Sequence, residues 1–176
     1  GRLAHAVGGV GEAWADALRH HDLAALRLHR HRQAELRRKP DGTEAGGGVQ
    51  PAPVAWRSFC ATAGGWMIRG FSMFSVIEKD TGRWIGRVGP LQPEGWPGTE
   101  VGWGLVREVW GRGYATEAAQ ACLDYAFGTL GWDEAIHTID AANAASQAVA
   151  QRLGSRTLRR TFLPPPIETS EADVWG

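Results

Sequence analysis

The sequence predicts an α/β sandwich: a mixed, mostly antiparallel sheet with helices on both faces. Three observations carry that expectation. A hairpin signal lies over residues 74–88, a long amphipathic helix over 115–130, and the elements follow in the order helix, hairpin, strand, helix, strand, helix, strand. Hairpin-joined strands pair antiparallel, and a helix with one apolar stripe needs a sheet face to cover it.

Taken in order, Val54, Trp56, Phe59, Cys60 and Ala63 predict a helix that stops near Gly64-Gly65 or runs on to Arg69. Residues from Phe74 to Lys79 alternate like a strand, and Asp80-Thr81-Gly82 is a turn signal. Arg83 to Val88 is the return strand, with Trp84, Gly86 and Val88 on one face. A Pro/Gly loop is expected from Pro90 to Gly98, then a third strand from Glu100 to Val106. Ala115, Ala118, Ala119, Cys122, Leu123, Ala126, Phe127 and Leu130 fall on one helical face, which makes Cys122 a core thiol. Ala135 to Ile139 reads as a strand. Asn143 caps a short helix to Leu153, with Gly154 just beyond its end. Thr157 to Leu163 is a last strand, closed by Pro164-Pro165-Pro166.

Residues 1–50 read differently. Five of the six histidines and seven arginines lie here, with a helical stripe over Trp14, Ala17, Leu18, Ala25 and Leu28. His29 and His31 are two apart, so on a helix they face different ways, and no carboxylate completes a ligand set. No metal is expected. The segment 1–50 is expected to be atypical, either disordered or read from a shifted coding frame, and 51–176 to form the domain.

Composition narrows the function classes. Nineteen Lys+Arg balance nineteen Asp+Glu, so a basic nucleic-acid-coating protein is not expected. No apolar run is long enough to span a bilayer, and no stretch reads as a signal peptide. Cys60 and Cys122 are the only cysteines, too few for a disulfide scaffold or a thiolate zinc site. The expectation is a cytoplasmic protein without nucleic-acid or membrane partners; a homodimer stays open. Of nine tryptophans, Trp56, Trp66, Trp84, Trp103, Trp110 and Trp132 are assigned to the core or a cleft.

Chemistry concentrates between the third strand and the long helix, in Trp110-Gly111-Arg112-Gly113-Tyr114-Ala115-Thr116-Glu117-Ala118. Two glycines let the backbone turn tightly and line up N–H groups at a helix N-terminus, where the macrodipole favours an anion. Arg112 adds a positive charge. The pattern lacks the Gly-Lys-Ser/Thr of a P-loop, and Thr116 stands where a dinucleotide fingerprint needs Gly or Ala. A phosphate or pyrophosphate cradle remains, beside the plainer reading of a glycine loop.

This segment resembles the acyl-CoA-binding motif of the GNAT superfamily of N-acyltransferases, in the form found in its branch of ribosomal-protein N-terminal acetyltransferases. Ile85-Gly86-Arg87-Val88-Gly89, Asn143-Ala144-Ala145-Ser146 and Arg152-Leu153-Gly154 match the same branch. The resemblance implies the acyl-CoA N-acyltransferase fold and an acetyl-CoA-dependent N-acetyltransferase. Its acceptor would be a primary amine on a protein N-terminus or a small molecule, which attacks the thioester directly. It implies that the backbone of Gly111, Arg112, Gly113, Tyr114 and Ala115 holds the pyrophosphate and that Leu105 and Val106 pair with the pantetheine arm. Asn143 would bond that arm, or serve only as a cap. Trp110 stands where the motif usually has Arg or Gln.

An amine must lose a proton before it attacks. For a lysine at neutral pH that costs roughly 4 kcal/mol, for an α-amine far less. Glu100 is the candidate base, directly or through water, unless it is an edge carboxylate. The family's tyrosine acid corresponds to Ala150 here, so Ser146, one turn earlier, is the substitute candidate. Tyr125 and His137 are weighed and assigned to packing. The competing class is a CoA-binding protein without turnover.

Overall fold

The structure is a computed structural model and describes residues 52–164 and 171–176. The helical stripe read over 14–28 and the atypical segment 1–50 lie outside the described residues. The elements are α1 (Ala52–Arg69), β1 (Phe74–Ile77), β2 (Trp84–Leu91), β3 (Glu100–Leu105), a 3-10 turn (Arg107–Val109), α2 (Tyr114–Gly128), β4 (His137–Ile139), α3 (Ala144–Arg152), β5 (Thr157–Phe162) and β6 (Glu171–Trp175).

Two three-stranded antiparallel sheets result, ordered β1-β2-β3 and β4-β6-β5. They meet at one parallel bridge, Glu100 to Ile136, with hydrogen bonds from Val101 N to Ile136 O (3.1 Å) and from Ile136 N to Thr99 O (2.8 Å). Beyond it β3 and β4 part. The mixed, mainly antiparallel α/β architecture is therefore the one expected, with a split in the sheet.

The hairpin forms around Asp80-Thr81-Gly82, where Gly82 N donates to Glu78 O at 2.9 Å. Phe74, Val76, Val88, Val101 and Leu105 bury one face of the first sheet against Ala118, Ala119, Cys122 and Ala126 of α2. A fully buried aliphatic side chain contributes ~1.5–3 kcal/mol, so this interface dominates the stability of the first sheet. Burial pushes the Cys122 thiol up to about 12, as suits an inert core residue. Ile139, Ala150 and Trp175 form a second cluster between α3 and its sheet, and Trp103 packs against both clusters. On the opposite face of the first sheet, Arg87 reaches Thr62 of α1.

α1 takes the longer of its two expected courses, through Gly64-Gly65 to Arg69; a Cβ at Gly65 would come within 3.0 Å of Ser72 Oγ, so the glycine lets the following chain close in. Two expectations change. First, β2 continues past Val88 through Gly89 and Pro90 to Leu91. Pro90 pairs with Val101 at a position without ladder bonds, beyond the end of β1, so its missing N–H breaks nothing. Second, residues Glu171–Trp175 form β6, the central strand of the second sheet. Ala172 and Val174 are buried there in period-two alternation, a signal present in the sequence but only five residues long.

Candidate active site

The glycine-rich turn lies at the end of β3 and opens α2. Gly111 has φ +71° and Gly113 φ +87°, left-handed values that cost an L-residue ~1–2 kcal/mol. Gly113 is the N-cap and brings no side-chain bond, and the first engaged amide of α2 is that of Glu117, donating to Gly113 O at 3.0 Å. Among the described residues, the amides of Gly111, Arg112, Gly113, Tyr114, Ala115 and Thr116 meet no acceptor. A run of unmet donors at the positive end of a 15-residue helix is a receptor for an anion.

Arg112 is not free for such an anion. Its Nη2 lies 3.1 Å from Glu78 Oε1 and donates to the Tyr114 hydroxyl at 3.1 Å, and its guanidinium covers the Tyr114 ring at 5.0 Å. Tyr114 in turn donates to Glu78 Oε1 at 2.8 Å, and Thr81 donates to Glu78 Oε2 at 2.8 Å. The hydrogen bonds from Thr81 and Tyr114 hold the Glu78 carboxyl below its ordinary value. The β1–β2 turn is thus tied to the glycine-rich turn through Glu78, a side chain with no local signal of that role in its sequence neighbours.

The split between β3 and β4 starts at Val101. In an antiparallel ladder, alternate residues turn their backbone groups to one neighbour. Val106 donates to Ile85 O at 2.9 Å, which turns Gly102 and Gly104 toward β2 and Trp103 and Leu105 toward the split. The Leu105 carbonyl accepts from Trp110 Nε1 at 2.9 Å, and its amide meets no acceptor among the described residues. Val106 has both backbone groups engaged, its carbonyl receiving Val109 N at 3.3 Å. Of the two strand-end residues assigned to pantetheine, the Leu105 backbone faces the split and that of Val106 does not; the backbone of Trp103, a residue assigned from the sequence to the core or a cleft, also faces it.

Asn143 caps α3: its side chain accepts from Ser146 N at 3.1 Å, leaving its NH2 group available. Ser146 Oγ accepts from Trp103 Nε1 at 3.2 Å, which keeps the serine proton available as a donor. Ala150 is fully buried. His137 is 2% exposed, lies against Trp103 with ring centroids 4.8 Å apart and planes tilted by 55°, and lies 2.6 Å through Nδ1 from Val101 O. A carbonyl only accepts, so Nδ1 carries the proton. Burial holds the ring's pKa below the ordinary value, and the neutral imidazole pins the two strands together. Tyr125 packs edge-on against Phe74 at 5.5 Å.

Glu100, the candidate base, stands at the junction and is 6% exposed. Trp96 Nε1 donates to its Oε2 at 2.6 Å and Thr138 Oγ1 to the same oxygen at 2.8 Å. Burial raises its pKa to about 7 against those two bonds, which places a proton acceptor in the neutral range. Trp96 and Thr138 escaped the sequence reading, since neither type in a loop or strand announces a carboxylate partner. Among the described residues, no group of three or more His, Cys, Asp or Glu could hold a metal, and no helix is long and apolar enough to cross a membrane.

A family model described as Acetyltransferase (GNAT) domain matches residues 16–156. The protein YkkB of Bacillus subtilis is 40% identical over 100 residues, which are 54% of this chain and 58% of YkkB. The N-acetyltransferase p20 of Bacillus licheniformis is 35% identical over 74 residues, 42% of each chain. The chain spans about half the length of the curated relatives it matches. Among solved structures, an acetyltransferase from Agrobacterium tumefaciens superposes with TM-score 0.68 at 30% identity, over 87% of this chain and 85% of that one. A ribosomal-protein-serine acetyltransferase structure from Vibrio cholerae, described as putative, shares the fold at TM-score 0.62 and 20% identity, over 88% and 87% of the two chains.

Proposed function

The chain belongs to the GNAT acetyltransferase family, and on that premise we propose that it is an acetyl-CoA-dependent N-acetyltransferase acting on a primary amine, at a protein N-terminus or on a small molecule. The observation that carries the reading is the run of six amides, Gly111 to Thr116, that meet no acceptor among the described residues, beside the split between β3 and β4. Donors so arranged fit the pyrophosphate of CoA. Leu105 and Trp103 offer backbone to the pantetheine arm, and the Asn143 NH2 group supports it. Acetyl-CoA supplies the thioester carbonyl and the departing thiolate.

Glu100 takes the proton from the acceptor ammonium, and the neutral amine then attacks. With its pKa near 7, this carboxylate is ionised to a useful degree at neutral pH and basic enough to accept. The thiolate has a pKa near 8.5 and needs modest help, which the Ser146 hydroxyl provides. Two unpaired cysteines suit the reducing cytoplasm.

Calorimetry with acetyl-CoA tests the cradle, and thiol release with a panel of peptide α-amines, amino sugars and polyamines tests turnover. Binding with amine-dependent thiol release is expected; no binding overturns the reading. CoA binding without turnover is the second reading. It is favoured by the pairing of Arg112 with Glu78 and by alanine at position 150, where the family's acid would stand.

A further inference from the structure

The Glu100 carboxylate is held unequally. The side chains of Trp96 and Thr138 both donate to Oε2, from a loop and from β4, while no side chain among the described residues donates to Oε1. Oε1 lies over Gly102: a Cβ there would come within 3.2 Å of it and within 2.8 Å of Leu91 Cδ2. Gly104, the next residue on that face of β3, would meet nothing within 4 Å of an added Cβ. The space over Gly102 is thus filled by Oε1, Leu91 Cδ2 and Met73 Cε, and the open face of β3 begins one step on, at Gly104, toward the strand end that leads to the amide cradle. A side chain at 102 would press on Oε1, and one at 104 would enter the open space.

Resting on the acetyltransferase reading above, we infer that Trp96 and Thr138 are positioning residues that clamp Oε2 so that Oε1 lies over Gly102, toward the open face at Gly104, and takes the amine proton. In that step an N–H bond of the acceptor ammonium breaks and an O–H bond forms at Oε1; the nitrogen lone pair is released for attack, and the proton later passes to water. The clamp has a second effect. Two donors on the ionised form keep the carboxylate from rising further out of the neutral range under its burial. Charged side chains stand off from it. Arg69 of α1 pairs with Glu94 in the loop, Arg159 of β5 bonds Pro97 O, and Arg87 of β2, across from Gly104, reaches Thr62. His137 of β4 is turned to the opposite face of the strands, toward Val101 and Trp103. The two side-chain hydrogen bonds, with the backbone bond from Thr138, are thus the local control on Glu100.

The test is a 13C NMR titration of the Glu100 carboxyl in the full chain, assigned with Glu100→Gln, paired with pH profiles of thiol release using acetyl-CoA and an alanine-initiated tripeptide amide. Trp96→Phe and Thr138→Val should each raise the Glu100 pKa by about one unit, since a hydrogen bond to a charged group is worth ~1.5–3 kcal/mol. The acid limb of kcat/KM should move up with it, and Thr138→Ser should restore both. Gly102→Ala should lower kcat at least tenfold with the KM for acetyl-CoA unchanged. An unshifted Glu100 titration in both Trp96→Phe and Thr138→Val overturns the clamp, whatever the activity. Wild-type thiol release by Glu100→Gln across the pH range overturns the base assignment of the acetyltransferase reading instead.

Discussion

Glu100 and His137 are buried ionisable side chains on neighbouring strands, and burial drives them in opposite directions, one pKa up and the other down. For Glu100 the folded protein holds its proton more tightly than the unfolded chain does. Folding is therefore weakened as pH rises from the ordinary carboxyl range through about 7, by on the order of 3 kcal/mol once ionisation is complete. Glu100→Gln keeps an oxygen for Trp96 and Thr138 but carries no charge. We expect its melting temperature to exceed that of the wild type at pH 8 and the two to converge near pH 5; scanning calorimetry at both values decides it. His137 has the reverse sign, its neutral form being the stable one, so its contribution is lost as pH falls below the ordinary histidine value. Arg112→Glu sets a second carboxylate beside Glu78 and the amide cradle. It should weaken acetyl-CoA binding more than tenfold by calorimetry, and unchanged affinity would count against the cradle.

At the scale of elements, the Asn143 cap is a local device with a local signature. Asn143→Ala should cost about 1 kcal/mol in urea unfolding, through the lost bond to Ser146 N. Such devices were legible in the sequence: the turn at Asp80-Thr81-Gly82, the apolar face of α2, the caps of α3, and the glycines of the cradle. Each is set by chain neighbours, which is what periodicity and turn chemistry report. What escaped is set by distant residues. Glu78 meets Tyr114 and Arg112 across 36 and 34 positions, and Thr138 meets Glu100 across 38. The sixth strand escaped for another reason, being too short for its alternation to stand out. Its position between β4 and β5 gives it weight: deletion of residues 171–176 should abolish cooperative thermal unfolding, since both neighbours lose their ladder.

Across the molecule, the two sheets are joined by the bridge at Glu100 and Ile136, the His137–Val101 contact and the Thr138–Glu100 hydrogen bond, with Trp103 packed between their cores. The face of β3 bearing Val101 and Leu105 packs on α2, and the other bears Glu100 and the glycines, so one strand serves the core, the acid–base chemistry and the edge of the split. His137→Ala removes the pin and leaves Val101 O unmet, a loss of ~1–3 kcal/mol expected in chemical denaturation. The alternation along β3 has a consequence for exchange with solvent. Its even-numbered amides, at Gly102 and Gly104, are tied to β2, while those of Trp103 and Leu105 point into the split without an acceptor among the described residues. Deuterium should therefore enter this strand at every second residue in the free protein. An occupant that pairs with the split would silence Trp103 and Leu105 and leave Gly102 and Gly104 as they were, so two amides act as a native isotope reporter of occupancy.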